Sequence, residues 1–103
     1  MINIHVDLSV DPAKEQEMVR YFQTVYRPTA QKFDGYIDIH MLKLRKAFVG
    51  TAPADMNYRF QLVYKSEELR LKWIGSDIHQ EVWGAMEKFF TRLDNDILLF
   101  DAV

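Results

Sequence analysis

The chain has no cysteine, little glycine and proline, and no long apolar run. Without cysteine among its 103 residues it can form no disulfide, no thiolate metal site and no cysteine nucleophile. Its apolar runs fall short of the roughly 18 residues of a membrane span, and the opening segment MINIHVDLSV lacks the basic region and cleavage site of a signal peptide. A net charge of −2 without a basic stripe disfavours nucleic-acid binding. We therefore expect a soluble cytoplasmic protein that binds neither membranes nor nucleic acids.

What the chain does contain fits one globular domain. Hydrophobic residues make up 49% of it and charged residues 27%, which is the composition of a folded rather than a disordered chain. We predict a single domain over residues 1–103, because this length leaves room for one core. A chain of this size buries only about 60–65% of its extended surface on folding. It would therefore gain stability by dimerising.

The first third of the chain predicts a strand followed by a helix. Apolar and polar residues alternate over residues 2–10, which is the period of a strand with one apolar face. Asp11 and Pro12 suit the N-cap and the first position of a helix. We predict an amphipathic helix of about 20 residues with a kink or an early end at Pro28. Its predicted apolar stripe consists of Met18, Phe22, Val25, Thr29 and Phe33.

The remaining chain completes a recognisable order of elements. Alternation predicts further strands at residues 36–45 and 57–65, joined by a long hairpin loop at residues 47–56. A second helical region begins at Ser66, and a fourth strand covers residues 97–103. The order β-α-β-β-α-β predicts an α+β, ferredoxin-like fold, in which both helical regions cover one face of an antiparallel four-stranded sheet.

The sheet face that the helices leave uncovered carries a mixture of polar and apolar side chains. One interpretation is a solvated face on which Asp7 and Arg59 form an exposed ion pair that contributes ~0–1 kcal/mol. The other is that two copies pack these faces into a barrel around a polar-lined cavity, and the aromatic and branched side chains favour it. We predict a two-fold homodimer through this non-helix face. Its residues are Asn3, His5, Asp7, Tyr36, Asp38, His40, Leu42, Arg59, Gln61 and Val63.

Four segments carry a resemblance to a known superfamily. They are the strand INIHVDLSV, the helix start DPAKEQEM, the turn Asp34-Gly35-Tyr36 and the helical segment Trp73-Ile74-Gly75-Ser76-Asp77. Through them the whole chain resembles the dimeric α+β barrel superfamily, in particular the antibiotic biosynthesis monooxygenase family. The resemblance implies one of several activities, because the superfamily includes cofactor-free monooxygenases of polycyclic aromatic polyketides, heme-degrading monooxygenases, small isomerases and mutarotases, and members without known activity.

The resemblance to the heme-degrading members stops short of the heme ligand. Those members place a Trp, a Ser-Asp pair and then a heme-ligating His on the second helical region. Here Trp73 and Ser76-Asp77 match, but Trp83 holds the position expected for the ligand. The nearest histidine, His79, lies one helical turn earlier. We therefore expect no heme and no other cofactor.

Histidines and their neighbours are the candidate proton-transfer groups. His5 lies near Asp7 on one predicted strand and His40 near Asp38 on the next, and an imidazole can exchange protons near neutral pH. The alternative is that both histidines are satisfied by their neighbours or by water. His79 lies four residues before Trp83, so the two stack on one helix face. No HxH or HExxH spacing occurs, and we expect no metal site.

These residues support three hypotheses of function. The first is a cofactor-independent monooxygenase that acts on a small aromatic or quinol-like substrate in a cavity between sheet and helices. The second is an isomerase or mutarotase that uses the same histidines, and the third is a non-catalytic ligand-binding or stress-associated protein. In the first, His5 or His40 is the base and Trp73 is a stacking wall, a role that the resemblance to the polyketide monooxygenases also implies. The predicted stabilising and substrate-contacting residues are Asn3, Arg59, Gln61, Asp7, Tyr36, His79 and Trp83.

Overall fold

The computed structural model describes residues 1–103 and contains the predicted elements in the predicted order. The strands are β1 (Ile2–Leu8), β2 (Tyr36–Lys43), β3 (Tyr58–Tyr64) and β4 (Ile97–Asp101). The helices are α1 (Glu15–Tyr21), α2 (Arg27–Ala30), α3 (Glu67–Ile74) and α4 (Asp77–Glu87). The strands form one antiparallel sheet in the order β2-β3-β1-β4. The ferredoxin-like α+β fold is thereby confirmed. None of the helices combines the length and the apolar character that crossing a bilayer requires.

The core lies between the helices and one face of the sheet. Every second residue of β1 and β3 is buried, starting from Ile2 and Tyr58. Each of these large apolar side chains contributes about 1.5–3 kcal/mol when it is removed from water. The intervening residues are half-buried and face the opposite side. The sheet therefore has a helix side and an outer face, and the alternation predicted for β1 is confirmed.

The first helical region contains a turn that the sequence pattern does not predict. Between α1 and α2, residues Phe22–Tyr26 form a π-helical turn, in which the Arg27 N–H donates to the Phe22 carbonyl five residues back. This turn directly precedes Pro28, which has no N–H to donate in a regular α-helix. It widens the helix and rotates the buried stripe by one residue. The predicted burial of Val25 and Thr29 is therefore wrong, and the residues buried are Met18, Phe22, Tyr26 and Ala30.

A bulge at the start of β2 changes which face Tyr36 occupies. Tyr36 lies opposite Tyr64, whereas Asp38 lies opposite Val63, so Ile37 is an extra residue in the ladder. The extra residue places Tyr36 on the helix side, where it packs against the core. The prediction that Tyr36 shares the outer face with His5 is therefore wrong. Beyond the bulge the predicted alternation holds, with Ile39 buried and His40 exposed.

The loop at residues 44–57 is fixed at its base and exposed at its tip. The Leu44 N–H donates to the Asn57 carbonyl at 2.9 Å. The Asn57 side chain accepts from the Val10 N–H at 2.8 Å and donates to the Val10 carbonyl at 2.7 Å. At the tip, the exposed fractions of Phe48 and Val49 are 88% and 85%. The predicted hairpin loop is confirmed, and its most apolar segment has no cover from its own chain.

Candidate functional site

A cavity of about 260 Å³ lies on the helix side of the sheet, beneath α3 and α4. Its floor is formed by apolar side chains of β1 and β3, and its walls are mostly aromatic. An engineered cavity of about 150 Å³ is large enough to bind benzene, so this one accommodates one or two fused rings. Its mouth lies at Ile74 and Ile97, which are 38% and 58% exposed and are the most exposed lining residues.

Four aromatic residues form a rigid wall of this cavity. The ring centroids of Trp73 and His79 are 4.8 Å apart at a steep angle, and those of Tyr26 and Trp83 are 5.7 Å apart. The rings of His79 and Trp83 are nearly parallel at 7°, with 6.3 Å between centroids. Their spacing of four residues on α4 produces this stacking, as the sequence predicts. Such walls suit a planar ligand.

Ser76 connects the two helices that carry this wall. Its hydroxyl accepts a hydrogen bond from the His79 N–H at 3.2 Å, as the N-cap of α4. The same hydroxyl donates to the Trp73 carbonyl at 2.7 Å, at the end of α3. One side chain thus fixes the backbone of Trp73 relative to that of His79.

Two buried nitrogen atoms of the wall form no hydrogen bond of good geometry within the chain. They are Nε1 of Trp73, whose indole is close to the Tyr26 hydroxyl, and Nδ1 of His79, whose imidazole is close to the Ile74 backbone. An unsatisfied buried polar group costs about 1–3 kcal/mol, which a ligand that bonds to it would recover. Burial lowers the pKa of His79 below its usual value of 6.5, against the opposing effect of a hydrogen bond with the Ile74 backbone, and so favours the neutral imidazole. The cavity wall therefore contains an indole and an imidazole that can take up a proton.

Two further lining residues with polar groups, Tyr26 and Arg70, are absent from the sequence-based candidates. Tyr26 reaches the cavity only because of the π turn, and burial raises the pKa of its hydroxyl far above the usual range. Arg70 is ion-paired with Glu67, three residues earlier on α3, with Nε 3.0 Å from Oε2. The hydrogen bond from Arg70 lowers the pKa of the Glu67 carboxyl. The spacing of Glu67 and Arg70 was the one signal in the sequence that could have located Arg70.

The outer face holds a second polar cluster. Asp7 lies opposite Arg59 across β1 and β3, with the Arg59 Nε 2.7 Å from the Asp7 Oδ1. The Asp7 side chain is only 10% exposed, whereas that of Arg59 is 36% exposed. His5 packs against Phe100 of β4 with 4.9 Å between ring centroids. Burial first, and then the charge of Arg59, lowers the pKa of His5, while Asp7 opposes the shift.

His40 forms a separate pair on the outer face. Its Nε2 is 2.9 Å from the Asp38 Oδ2, and both side chains are about half exposed. The Ile39 N–H, more than His40 itself, lowers the pKa of the Asp38 carboxyl. His5 and His40 both lie opposite Gln61, one on each side of it. Two strand spacings of about 4.8 Å therefore separate the backbones of the two histidines, with Gln61 between them.

Apart from Tyr36, which packs against the core, the predicted site residues are divided between two places. Trp73, His79 and Trp83 come together in the helix-side cavity. His5 and His40 do not line it, because successive residues of a strand point to opposite sides of the sheet. A single site that combines either histidine with Trp73, as the first hypothesis requires, does not exist within the chain. The other predicted residues on the outer face are Asn3, Asp7, Arg59 and Gln61.

Comparison with known proteins supports the fold but identifies no sequence family. No protein-family model and no curated protein matches this chain. A candidate antibiotic biosynthesis monooxygenase from Caulobacter crescentus CB15 is 20% identical, with a TM-score of 0.79 over 99% of this chain and 89% of that one. Another from Bordetella bronchiseptica is 14% identical, with a TM-score of 0.79 over 99% of this chain and 96% of that one.

A third solved structure has the same fold. A dimeric ferredoxin-like protein of unknown function from Jannaschia sp. CCS1 is 10% identical, with a TM-score of 0.79 over 98% of each chain. Identities this low show a shared fold. At that level this chain has the same fold as two proteins named antibiotic biosynthesis monooxygenases and one named a dimeric ferredoxin-like protein.

Proposed function

We propose that the chain is a cofactor-independent monooxygenase that oxidises a small aromatic, quinol-like substrate in the helix-side cavity. The observation that carries the proposal is an aromatic cavity of about 260 Å³ that is lined by both Trp73 and His79. The names of two structural neighbours favour the same chemistry. The predicted base moves from the outer-face histidines to His79, because His79 is the histidine that lines the cavity.

The proposed reaction needs a base and a stabilised anion but no cofactor. The neutral imidazole of His79 takes the proton of a quinol hydroxyl, and the electron-rich anion passes an electron to dioxygen. The resulting substrate radical and superoxide combine to form a carbon–oxygen bond, and loss of water from this adduct completes the reaction. One ring C–H becomes C–OH and the quinol becomes a quinone, which together supply the four electrons that reduce dioxygen. One oxygen atom enters the product and the other leaves as water.

The proton transfer is uphill, which limits the substrates. A simple phenol has a pKa of about 10, well above that of an ordinary histidine, and burial lowers the pKa of His79 further. A hydrogen bond from the Trp73 indole to the developing oxygen anion offsets part of that cost. We therefore expect substrates whose hydroxyl is more acidic than that of a simple phenol.

We also propose that the protein is a homodimer through its outer face. Three apolar side chains of that face are about half exposed, namely Leu42, Leu98 and Phe100. The partly buried pair of Asp7 and Arg59 lies between them in the sheet. The name of the Jannaschia protein, which describes it as dimeric, supports a dimer but does not identify the face through which it forms.

The direct test is turnover of 1,4-naphthoquinol under ¹⁸O₂. We expect 2-hydroxy-1,4-naphthoquinone with one labelled oxygen, whereas spontaneous oxidation of the quinol gives unlabelled naphthoquinone. Trp73→Phe keeps the ring and removes the donor, so the rate should fall about 10²–10³-fold, as for the loss of one oxyanion donor. His79→Gln should be similarly impaired, and His40→Gln on the outer face is the matched control.

The remaining outcomes separate the alternatives. Labelled product that survives in His79→Gln but disappears in His5→Ala would move the base to the outer face and refute the proposed site. Proton exchange or isomerisation without oxygen uptake would indicate the isomerase hypothesis. Tight binding of the quinol without any turnover would indicate a ligand-binding protein.

A further inference from the structure

The mouth of the cavity is flanked by an apolar strand that no part of its own chain covers. Ile97 and Leu99 of β4 lie opposite Val6 and Ile4, so they share the helix side of the sheet with the cavity floor. They are nevertheless 58% and 49% exposed. The helices lie over the other strands and leave this edge open.

The loop at residues 44–57 presents the complementary feature. Its tip, Phe48 and Val49, is apolar and almost fully exposed. Its base cannot move freely, because the Ser9 hydroxyl donates to the Asp55 carbonyl at 2.7 Å and Asn57 is bonded to Val10. The apolar tip therefore projects from the sheet without a cover in its own chain.

The charges around the two features are opposite in sign. Arg45 and Lys46 immediately precede the tip, and neither forms an ion pair within the chain. Asp96 and Asp101 flank the apolar residues of β4, and they too are without an ion pair. An apolar tip with adjacent cations thus matches an apolar strand with adjacent anions, and complementarity of this kind selects a partner.

We propose that a second copy of the chain places its Phe48–Val49 tip on the helix side of β4 and closes the mouth of the cavity. The site of each subunit would then be completed by its partner. The five residues from the end of β2 at Lys43 to Phe48 span up to about 17 Å when extended, which allows the tip to project beyond its own sheet. The inference deepens the proposed function, since it makes the cavity a site shared between two subunits.

The absence of cysteine permits a direct test by cross-linking. Phe48→Cys and Leu99→Cys are made as single variants with tags of different size, coexpressed, and oxidised mildly. We expect a disulfide-linked heterodimer that contains one copy of each variant. Phe48→Cys coexpressed with Leu71→Cys is the matched control, because Leu71 lies on α3 and is also exposed, at 54%. No cross-link to Leu99→Cys, or an equal yield with Leu71→Cys, would overturn the proposal.

A second variant tests the consequence for the cavity. Phe48→Ser combined with Val49→Ser should raise the dimer dissociation constant and weaken the binding of menadione, each by at least about tenfold. Unchanged values for both would overturn the proposal. So would cosedimentation of the unmodified protein, but not of the double variant, with phosphatidylglycerol vesicles, because the tip would then be a membrane contact. The cross-link requires no ligand, so inactivity towards quinols would refute the proposed function and leave this inference standing.

Discussion

Gly35 offers a sharp test of how the second helical region is held on the sheet. Its φ is +91°, and a Cβ at this position would stand 2.7 Å from the Leu69 Cβ and 3.1 Å from the Tyr64 Cδ1. Gly35→Ala therefore combines a backbone strain of about 1–2 kcal/mol with overpacking of about 1–3 kcal/mol. We expect the free energy of unfolding to fall by about 2–5 kcal/mol.

The chain supplies two controls for Gly35→Ala. Gly50 has a φ of +80° and no atom within 4 Å of its added Cβ, so Gly50→Ala measures backbone strain alone. Gly84 lies within α4 with free space around it, so Gly84→Ala should stabilise by up to about 1 kcal/mol. Thermal and urea denaturation at one protein concentration should show a melting temperature at least about 8 °C lower for Gly35→Ala. A loss no larger than that of Gly50→Ala would refute the close packing of α3 on this turn.

Three further predictions concern the site, the loop and the outer face. Because burial lowers the pKa of His79, the free energy of unfolding should be highest above the pKa of an unfolded histidine, about 6.5, and should fall as the pH drops below that value. Urea denaturation at several pH values should show a smaller fall for His79→Gln. The same dependence of stability on pH in the variant would contradict the burial of His79. Asn57→Ala removes both hydrogen bonds to Val10 and should lower the free energy of unfolding by about 1–3 kcal/mol. An unchanged free energy of unfolding would contradict this prediction. Asp7→Asn should cost about 1–2 kcal/mol, because it removes the partner of the partly exposed Arg59; a double-mutant cycle with Arg59→Met measures the coupling, and zero coupling would show that the pair is without effect.

The regular parts of the fold could be predicted because their signals are periodic. The alternation of β1 places Ile4 and Val6 inside and His5 outside, and the structure agrees. The order of elements then determines the sheet topology, because parallel-type crossovers have a fixed hand. Neither step depends on any contact between distant residues.

The irregular parts could not be predicted, because each depends on a single inserted residue. The bulge at Ile37 reverses the face of Tyr36, and nothing in the alternation of β2 indicates it. The π turn brings Tyr26 into the cavity in place of Val25. Pro28 predicts a kink or an early end of the helix, but not an inserted residue before it. The predicted site combines His5 or His40, chosen from the strand alternation, with Trp73, chosen from the family resemblance. The structure places these histidines on the outer face and Trp73 on the helix side, so the sheet separates them.

The position of the tryptophans gives the molecule an optical property that follows directly from its architecture. The chain has two tryptophans, Trp73 and Trp83, and both form the wall of the same cavity. Emission from this protein therefore reports the inside of one cavity and almost nothing of the outer face. A quinone that enters should quench it by contact, while a partner bound elsewhere should leave it unchanged. Occupancy of the cavity can thus be followed without a label, and before any substrate is known.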